Sequence, residues 1–104
     1  MIRVNVVYPA RDGARFDHDY YVQRHIALIR DRMKDYGLGA IAVDKGIAAA
    51  PAGGPPPFTA VISLVFESPE QMQAGLAIHG AEIFGDTINF SDIQPTMQIS
   101  EILL

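Results

Sequence analysis

The residues best suited to chemistry are two adjacent tyrosines, Tyr20 and Tyr21, followed by His25 in a segment of helical periodicity. Side chains four residues apart share one face of a helix, so we expect Tyr21 and His25 to be neighbours. An imidazole with a reference pKa of about 6.5 can abstract a proton at neutral pH. A tyrosine beside it can donate a hydrogen bond to a developing enolate oxygen. Alternatively, His25 is structural and bonds a backbone carbonyl or a carboxylate such as Asp92; the sequence does not decide which tyrosine faces inward.

His79 and Glu82 form a second candidate pair. If the helix continues through Gly80, these two residues lie at positions i and i+3, and Glu82 could orient His79 as a base. If Gly80 ends the helix, the two side chains do not meet. His79 also has a structural interpretation, because a helix C-terminus favours a cation.

Other residues are candidates for ligand contact. Asp92 lies in a loop and could orient His25 or bind a ligand, although aspartate equally favours loops by bonding its own backbone. Aromatic side chains could wall a pocket, or could simply fill the core. They are Tyr8, Phe66, Phe84 and Phe90.

The sequence gives no pattern for a metal or a nucleotide cofactor. His18 and His25 are about two helical turns apart, and no His-x-x-x-His or His-Glu-x-x-His pattern is present. Gly53-Gly54 is followed by three prolines, which offer no amide donors to a phosphate. We therefore expect no metal site and no cofactor.

Composition limits the class of protein. The chain has 104 residues, a net charge of −4 and no cysteine, which predicts one domain over residues 1–104 without disulfides or thiolate chemistry. Its acidity argues against nucleic-acid binding. No apolar run is long enough to span a membrane or to form a signal peptide, so we expect no membrane association and a cytoplasmic location.

Hydrophobic periodicity predicts six elements. In order, these are a strand over residues 2–8, a helix over 18–36 ended by Gly37, a strand over 41–47, a strand over 58–66, a helix from Pro69 with a possible break at Gly80, and a strand through Met97, Ile99 and Leu103. Ser68, Pro69 and Gln71 make a strong helix start, with a cap, a first-turn proline and a third-position glutamine. The order β-α-β-β-α-β is that of a ferredoxin-like α+β fold with a four-stranded antiparallel sheet.

Two helices can cover only one face of such a sheet. Whichever face is left open carries several β-branched apolar residues, and exposed patches of that kind usually mark an interface. We therefore predict a homodimer in which sheet faces sheet.

The chain also resembles a known family. Phe16, Tyr20-Tyr21, His25 and Leu28 are similar to the first-helix signature of EthD-like proteins, within the dimeric α+β barrel superfamily. The similarity extends through Gly37-Leu38-Gly39, Phe66-Glu67-Ser68, Asp86, Asn89-Phe90-Ser91-Asp92, Pro95, Gln98 and Ser100-Glu101-Ile102. One position departs from the pattern: Ala27 replaces a common proline, and we expect this change to regularise the helix.

The resemblance implies two ferredoxin-like subunits that share a barrel, each with a pocket between helices and sheet. Its superfamily includes cofactor-free monooxygenases, cyclases, lactone isomerases and decarboxylases of small, often aromatic compounds. The sequence therefore suggests a cofactor-independent enzyme for a small apolar or aromatic oxygenated compound, with His25 as base. The alternatives are a small-molecule-binding protein without catalysis and an accessory homodimer. A pocket of about 300 Å³ or more beside His25 would separate the first two from the third.

Overall fold

The computed structural model describes residues 1–104 and has the predicted α+β order of elements. Its four strands form one antiparallel sheet in the order β2-β3-β1-β4, so β1 and β3 are central. The strands are β1, Ile2–Pro9; β2, Leu38–Lys45; β3, Phe58–Phe66; and β4, Thr96–Glu101. The predicted ferredoxin-like fold is confirmed.

Two helices cover one face of this sheet. The first, α1, has three consecutive parts: an α-helical turn over His18–Tyr20, a π-helical turn over Tyr21–His25 and an α-helix over Ile26–Met33. The second, α2, is an α-helix over Pro69–Gly85, followed by a 3-10 turn over Asp86–Asn89. Gly80 does not break α2.

Local sequence explains where the helices begin. The Asp17 side chain accepts a hydrogen bond from the Tyr20 amide at 3.0 Å, which caps α1. The Ser68 hydroxyl accepts one from the Gln71 amide at 3.2 Å, and Pro69 occupies the first turn of α2. The predicted start of α2 is therefore confirmed.

The π-helical turn was not predicted. The Ile26 amide bonds the carbonyl of Tyr21, five residues earlier, in place of the four-residue spacing of an α-helix. Ala27 itself lies in the α-helical part of α1, and the irregular turn ends two residues before it. The helix also ends at Met33, before the predicted residue 36, and Gly37 follows in the left-handed region with φ +75°.

The core lies between the helices and alternate residues of β1 and β3. These strands contribute Ile2, Val4, Val6, Tyr8, Ala60, Ile62, Leu64 and Phe66, all of them buried. The two helices approach closely at Gly75, where an added Cβ would lie 2.6 Å from Cε of Met33. The other face of the sheet carries half-buried valines, Val7, Val61 and Val65, and no helix covers it.

The helices leave part of their own side of the sheet uncovered at strand β4. Met97 and Ile99 pair with Val6 and Val4, so they lie on the helix side of the sheet. Nevertheless they are 44% and 51% exposed, because the helices do not extend over β4. Leu103, predicted to lie in this strand, follows its end and is 88% exposed. None of the helical segments combines the length and hydrophobicity that a membrane crossing requires.

Candidate active site

A small cavity lies between the helices and the sheet, in the gap between α2 and β4. Its volume is about 60 Å³, and 13 of its 16 lining residues are hydrophobic. The floor comes from β1 and β3, the walls from the helices, and the rim from β4 and the segment before it. The lining residues are Val4, Val6, Tyr8, Tyr21, His25, Ile29, Met33, Leu64, Phe66, Met72, Leu76, Ile83, Phe84, Thr87, Pro95 and Met97.

His25 is the polar centre of this cavity. It is only 4% exposed, and its Nδ1 lies 2.9 Å from Oδ2 of Asp86, which belongs to the 3-10 turn after α2. No other side chain or backbone group bonds the imidazole, and no buried side-chain nitrogen or oxygen lacks a partner. The unpartnered Nε2 is therefore not completely buried, and the His25 side chain lines the cavity. Asp86 holds the ring by one nitrogen and leaves the other free.

Asp86 is itself held by two further side chains. Its Oδ1 accepts hydrogen bonds from the Tyr20 hydroxyl at 2.7 Å and from the Asn89 amide at 2.9 Å. Partial burial by itself raises the pKa of Asp86, but the bonds from Asn89, His25 and Tyr20 together hold it below its ordinary value. The side chain is 14% exposed and carries its negative charge at neutral pH.

The pKa of His25 is lowered. Burial is the main cause, because it disfavours the charged imidazolium, and the hydrogen bond and charge of Asp86 oppose it only partly. At neutral pH the ring is therefore uncharged. Its proton lies on Nδ1, since the carboxylate of Asp86 can only accept, and Nε2 carries a lone pair.

The structure places the two tyrosines differently. Tyr20 points to Asp86 at the outer side of the helix, whereas Tyr21 is 2% exposed and lines the cavity with its ring centroid 4.9 Å from that of His25. Tyr8 stands beside Tyr21, with ring centroids 6.0 Å apart. Burial raises the pKa of Tyr8 to about 12, and burial together with the Tyr8 phenol raises that of Tyr21. Both phenols are therefore protonated at neutral pH, and a side-chain hydrogen bond joins them.

Of the other predicted aromatic residues, Phe66 and Phe84 line the cavity. Phe90 is fully buried but lies behind it, where its ring packs 4.7 Å from His25 and 4.9 Å from Tyr21. It packs against these two rings and is not among the residues that line the cavity.

His79 and Glu82 are not part of this site. Although α2 is continuous between them, the two side chains do not hydrogen-bond to each other. Glu82 binds Arg32 of α1, with Oε1 2.6 Å from Nε, and His79 packs against the ring of Tyr36 at 5.8 Å. The hydrogen bond from Arg32 is the main reason that the pKa of Glu82 is lowered.

Asp92 is also directed elsewhere. Its Oδ1 accepts a hydrogen bond from the Arg15 amide at 2.9 Å and lies 3.2 Å from Nη2 of Arg11. The bond from the Arg15 backbone is the main cause of its lowered pKa. The carboxylate that pairs with His25 is therefore Asp86, and Asp92 instead ties the loop before β4 to the loop after β1.

Sequence reasoning missed Asp86 and Asn89 as members of the site. Asp86 is 61 residues from His25, so no helical spacing connects the two. One sequence signal for Asp86 was available: it is among the residues that resemble the family, close to Asn89, between a helix and the last strand. No group of three or more metal-ligating side chains comes together anywhere in the structure.

The structure supports a purely structural role for His25 only in part. The cavity is smaller than the 300 Å³ expected of a site that encloses a whole ligand, and His25 does bond a carboxylate. However, that bond involves only Nδ1 of the imidazole. What remains is a neutral imidazole with one unbonded nitrogen, next to two phenols, in an apolar cavity between α2 and β4.

Comparison with known proteins agrees with this architecture. Residues 13–94 match the family model of the EthD domain. An EthD-like protein from Ralstonia eutropha JMP134 is 43% identical, with a TM-score of 0.93 over 99% of this chain and 92% of that one. An ethyl tert-butyl ether D (EthD) family protein from Bacillus halodurans C-125 has a TM-score of 0.75 at 19% identity, over 99% of both chains.

A dimeric ferredoxin-like protein of unknown function from Thermobifida fusca YX shares the fold, with a TM-score of 0.62 at 10% identity over 97% of this chain and 90% of that one. No curated protein matches this chain significantly. The fold and the placement of the cavity define a ferredoxin-like α+β protein. More particularly, the chain belongs to the EthD family.

Proposed function

We propose that this protein is a cofactor-independent enzyme that abstracts a proton from a small apolar oxygenated compound. The observation that carries this proposal is the two-sided environment of His25. Its Nδ1 donates to Asp86 at 2.9 Å, while its Nε2 has no partner and the ring lines an apolar cavity. An imidazole held by a carboxylate at one nitrogen and unbonded at the other has the arrangement that a general base requires.

His25 would act as the general base. Because burial keeps the ring neutral, its Nε2 can accept a proton from a substrate bound in the cavity. The imidazolium that forms is then stabilised by the carboxylate of Asp86, which is negatively charged and already in contact with Nδ1. The bonds from Tyr20 and Asn89 keep that carboxylate in place, so these two residues act through Asp86.

Tyr21 would supply the hydrogen bond that stabilises charge on the substrate oxygen. Its ring is next to His25, and its raised pKa keeps the hydroxyl protonated while negative charge develops beside it. Phe66 and Phe84 would contact the apolar part of the substrate. Phe90 would fix the angle between the two catalytic rings.

We further propose that the active form is a homodimer built through the open face of the sheet. Val7, Val61 and Val65 on that face are only partly buried in the single chain, and the Thermobifida fusca relative of the same fold is a dimeric protein. A second copy would remove these valines from water. A monomeric mass by light scattering at micromolar concentration would contradict this assembly.

One observation favours a second function, that of a binding or accessory protein without catalysis. The cavity of about 60 Å³ is well below the volume of common ligand sites. In that case His25 and Tyr21 would only hold a small molecule, or the cavity would serve no ligand.

The test measures proton abstraction itself, whichever overall reaction follows it. Small ketones, lactones and phenols are incubated with the protein in D2O, and the loss of C–H signals is followed by proton NMR. We expect wild type to accelerate exchange for at least one class, and His25→Gln to lower the rate about 100-fold or more. His79→Gln, a histidine outside the cavity, is the matched control and should retain the rate. Binding without exchange would favour the second function, and equal rates for both variants would exclude His25 as the base.

A further inference from the structure

The cavity lining selects against charged ligands. Among its 16 residues, the one side chain that can carry charge in the neutral range is His25, and it is held neutral by burial. Asp86 and Glu82 do not reach the lining, and no lysine or arginine does. A ligand with a formal charge would lose its hydration here without gaining a counter-charge. The ligand must therefore be neutral when it binds.

The polar groups that remain are arranged for one oxygen. Tyr8 and Tyr21 are 3% and 2% exposed, both line the cavity, and their rings meet edge to face. Tyr8 is fixed on β1 by Phe16, whose ring lies 4.9 Å away, and Tyr21 is fixed by Phe90. A side-chain hydrogen bond between the two phenols contributes to the pKa shifts of both, with Tyr21 as its donor, so their hydroxyls converge. A ligand oxygen that replaces this bond can accept from both hydroxyls. An oxygen placed there brings the atoms attached to it towards His25.

The shape of the cavity limits what can enter. A volume of 60 Å³ corresponds to about four water-sized positions, so only about four to six non-hydrogen atoms fit inside. The cavity opens between α2 and β4, where Phe84 is 50% and Met97 is 44% exposed. A longer ligand can therefore place its reacting end inside while an apolar chain lies against these two side chains.

We propose that the substrate is an uncharged carbonyl compound with a C–H bond next to the carbonyl and a narrow apolar chain. Its oxygen accepts hydrogen bonds from Tyr8 and Tyr21, its α-carbon faces Nε2 of His25, and its chain leaves between Phe84 and Met97. This inference deepens the proposed function and rests on His25 as the base. It gives Tyr8 a catalytic role as the second oxygen donor.

The proton-transfer step balances without a co-reactant. The α-C–H bond breaks and its proton moves to Nε2 of His25. The electron pair forms the C=C bond of an enolate, whose negative oxygen is stabilised by the two phenols. The proton then returns from Nε2 to the same carbon, or to another atom of the substrate, and the neutral imidazole is restored. Deuterium exchange at the α-carbon is the simplest visible result of this cycle.

The experiment uses 2-alkanones as probes, from 2-butanone to 2-heptanone, with heptanoate as a charged compound of similar length. Dissociation constants come from NMR titration, and exchange rates come from proton NMR in D2O. We expect affinity to increase along the 2-alkanone series, and heptanoate to bind at least tenfold more weakly than 2-heptanone. Tyr8→Phe should weaken 2-heptanone binding about fivefold and lower its exchange rate further, since the phenol bonds the enolate more strongly than the ketone.

The role of the opening is tested with Met97→Trp, which narrows it. Binding of 2-heptanone should weaken more than that of 2-butanone, whereas Ile78→Trp, at an exposed position of α2 outside the cavity, should change neither. If Tyr8→Phe does not fold, Tyr21→Phe provides the same comparison from α1. Equal binding of heptanoate and 2-heptanone, or unchanged exchange in both phenol variants, would overturn the substrate assignment. Binding selective for 2-alkanones without exchange would support the assignment of the ligand and instead contradict His25 as the base.

Discussion

The surroundings of His25 and His79 invite comparison, because each histidine lies one helical turn from a second titratable side chain. His25 is 4% exposed, packs against Tyr21 and Phe90, and bonds the carboxylate of Asp86. His79 is half-buried against Tyr36, and its neighbour Glu82 is bound to Arg32. Two histidines that each lie about one helical turn from a titratable side chain therefore have different environments.

The difference lies in whether a carboxylate reaches the imidazole. In the His25 region the carboxylate contacts the imidazole, and burial lowers the pKa of the ring. In the His79 region the carboxylate is already neutralised by an arginine that joins the two helices. A carboxylate close to a histidine in sequence therefore need not bond it, because a cationic side chain of another helix can pair with that carboxylate instead.

The largest expected effect is a difference in stability between variants of Asp86 and Glu82. Asp86→Asn removes the charged acceptor of three hydrogen bonds, one of them to a buried ring, and should lower the free energy of unfolding by about 2 kcal/mol. Glu82→Gln, at a side chain that is 52% exposed, should change it far less. Urea unfolding followed by circular dichroism measures both. Comparable losses in the two variants would mean that the regions do not differ as described.

The pH dependence of stability sharpens the comparison. Since the pKa of His25 is lower in the folded protein than its unfolded value of about 6.5, the unfolded state binds more protons below that pH. This contribution to stability is complete above about pH 6.5 and declines as the pH falls towards the folded-state pKa. Unfolding curves between pH 5 and 8 should show the decline in wild type.

Variants of the two histidines show which residue causes this decline in stability. His25→Gln should lack it, whereas His79→Gln still contains His25 and should keep it. Asp86 adds a separate loss at lower pH, because its own lowered pKa gives stability that disappears only as the carboxylate becomes protonated. A decline that persists in His25→Gln would place the titrating group elsewhere.

The smallest effect concerns the outer support of Asp86. Asn89→Ala removes one of its three hydrogen bonds, so the pKa of Asp86 should rise while stability changes by under about 0.5 kcal/mol. Carbon-detected NMR titration of the Asp86 carboxyl measures the change. Gln94→Ala, at an exposed residue of the following loop, is the control and should leave that pKa unaltered.

Much of the fold was predictable because it depends on local patterns. Alternating apolar residues identified β1, two-sided apolarity identified β3, and the Ser68-Pro69-Gln71 start of α2 was confirmed in its hydrogen bond. The exposure of Met97 was not predictable, because it depends on how far the helices reach across the sheet and not on the pattern within β4.

The candidate site was predictable only where it is local. Tyr21 and His25 are neighbours because they share a helical face, whichever hydrogen-bond spacing the backbone adopts. The pairing of His25 with Asp86 depends on how α2 and its 3-10 turn pack against α1. The hydrophobic periodicity of a single helix does not predict that packing. The same is true of Glu82, whose partner Arg32 lies on the other helix.

The π-helical turn gives the site an unusual kind of sensitivity. A turn closed by a five-residue hydrogen bond holds one residue more than an α-helical turn, and the residues in its middle, Val22, Gln23 and Arg24, are all exposed. Removing any one of these three would leave the four-residue spacing of an α-helical turn and bring Tyr21 one position closer to His25 along the chain. Because the ring of Tyr21 is buried against Tyr8 and Phe90, such a deletion would disturb the core as well as the contact between Tyr21 and His25. The length of a solvent-facing segment therefore constrains a buried one.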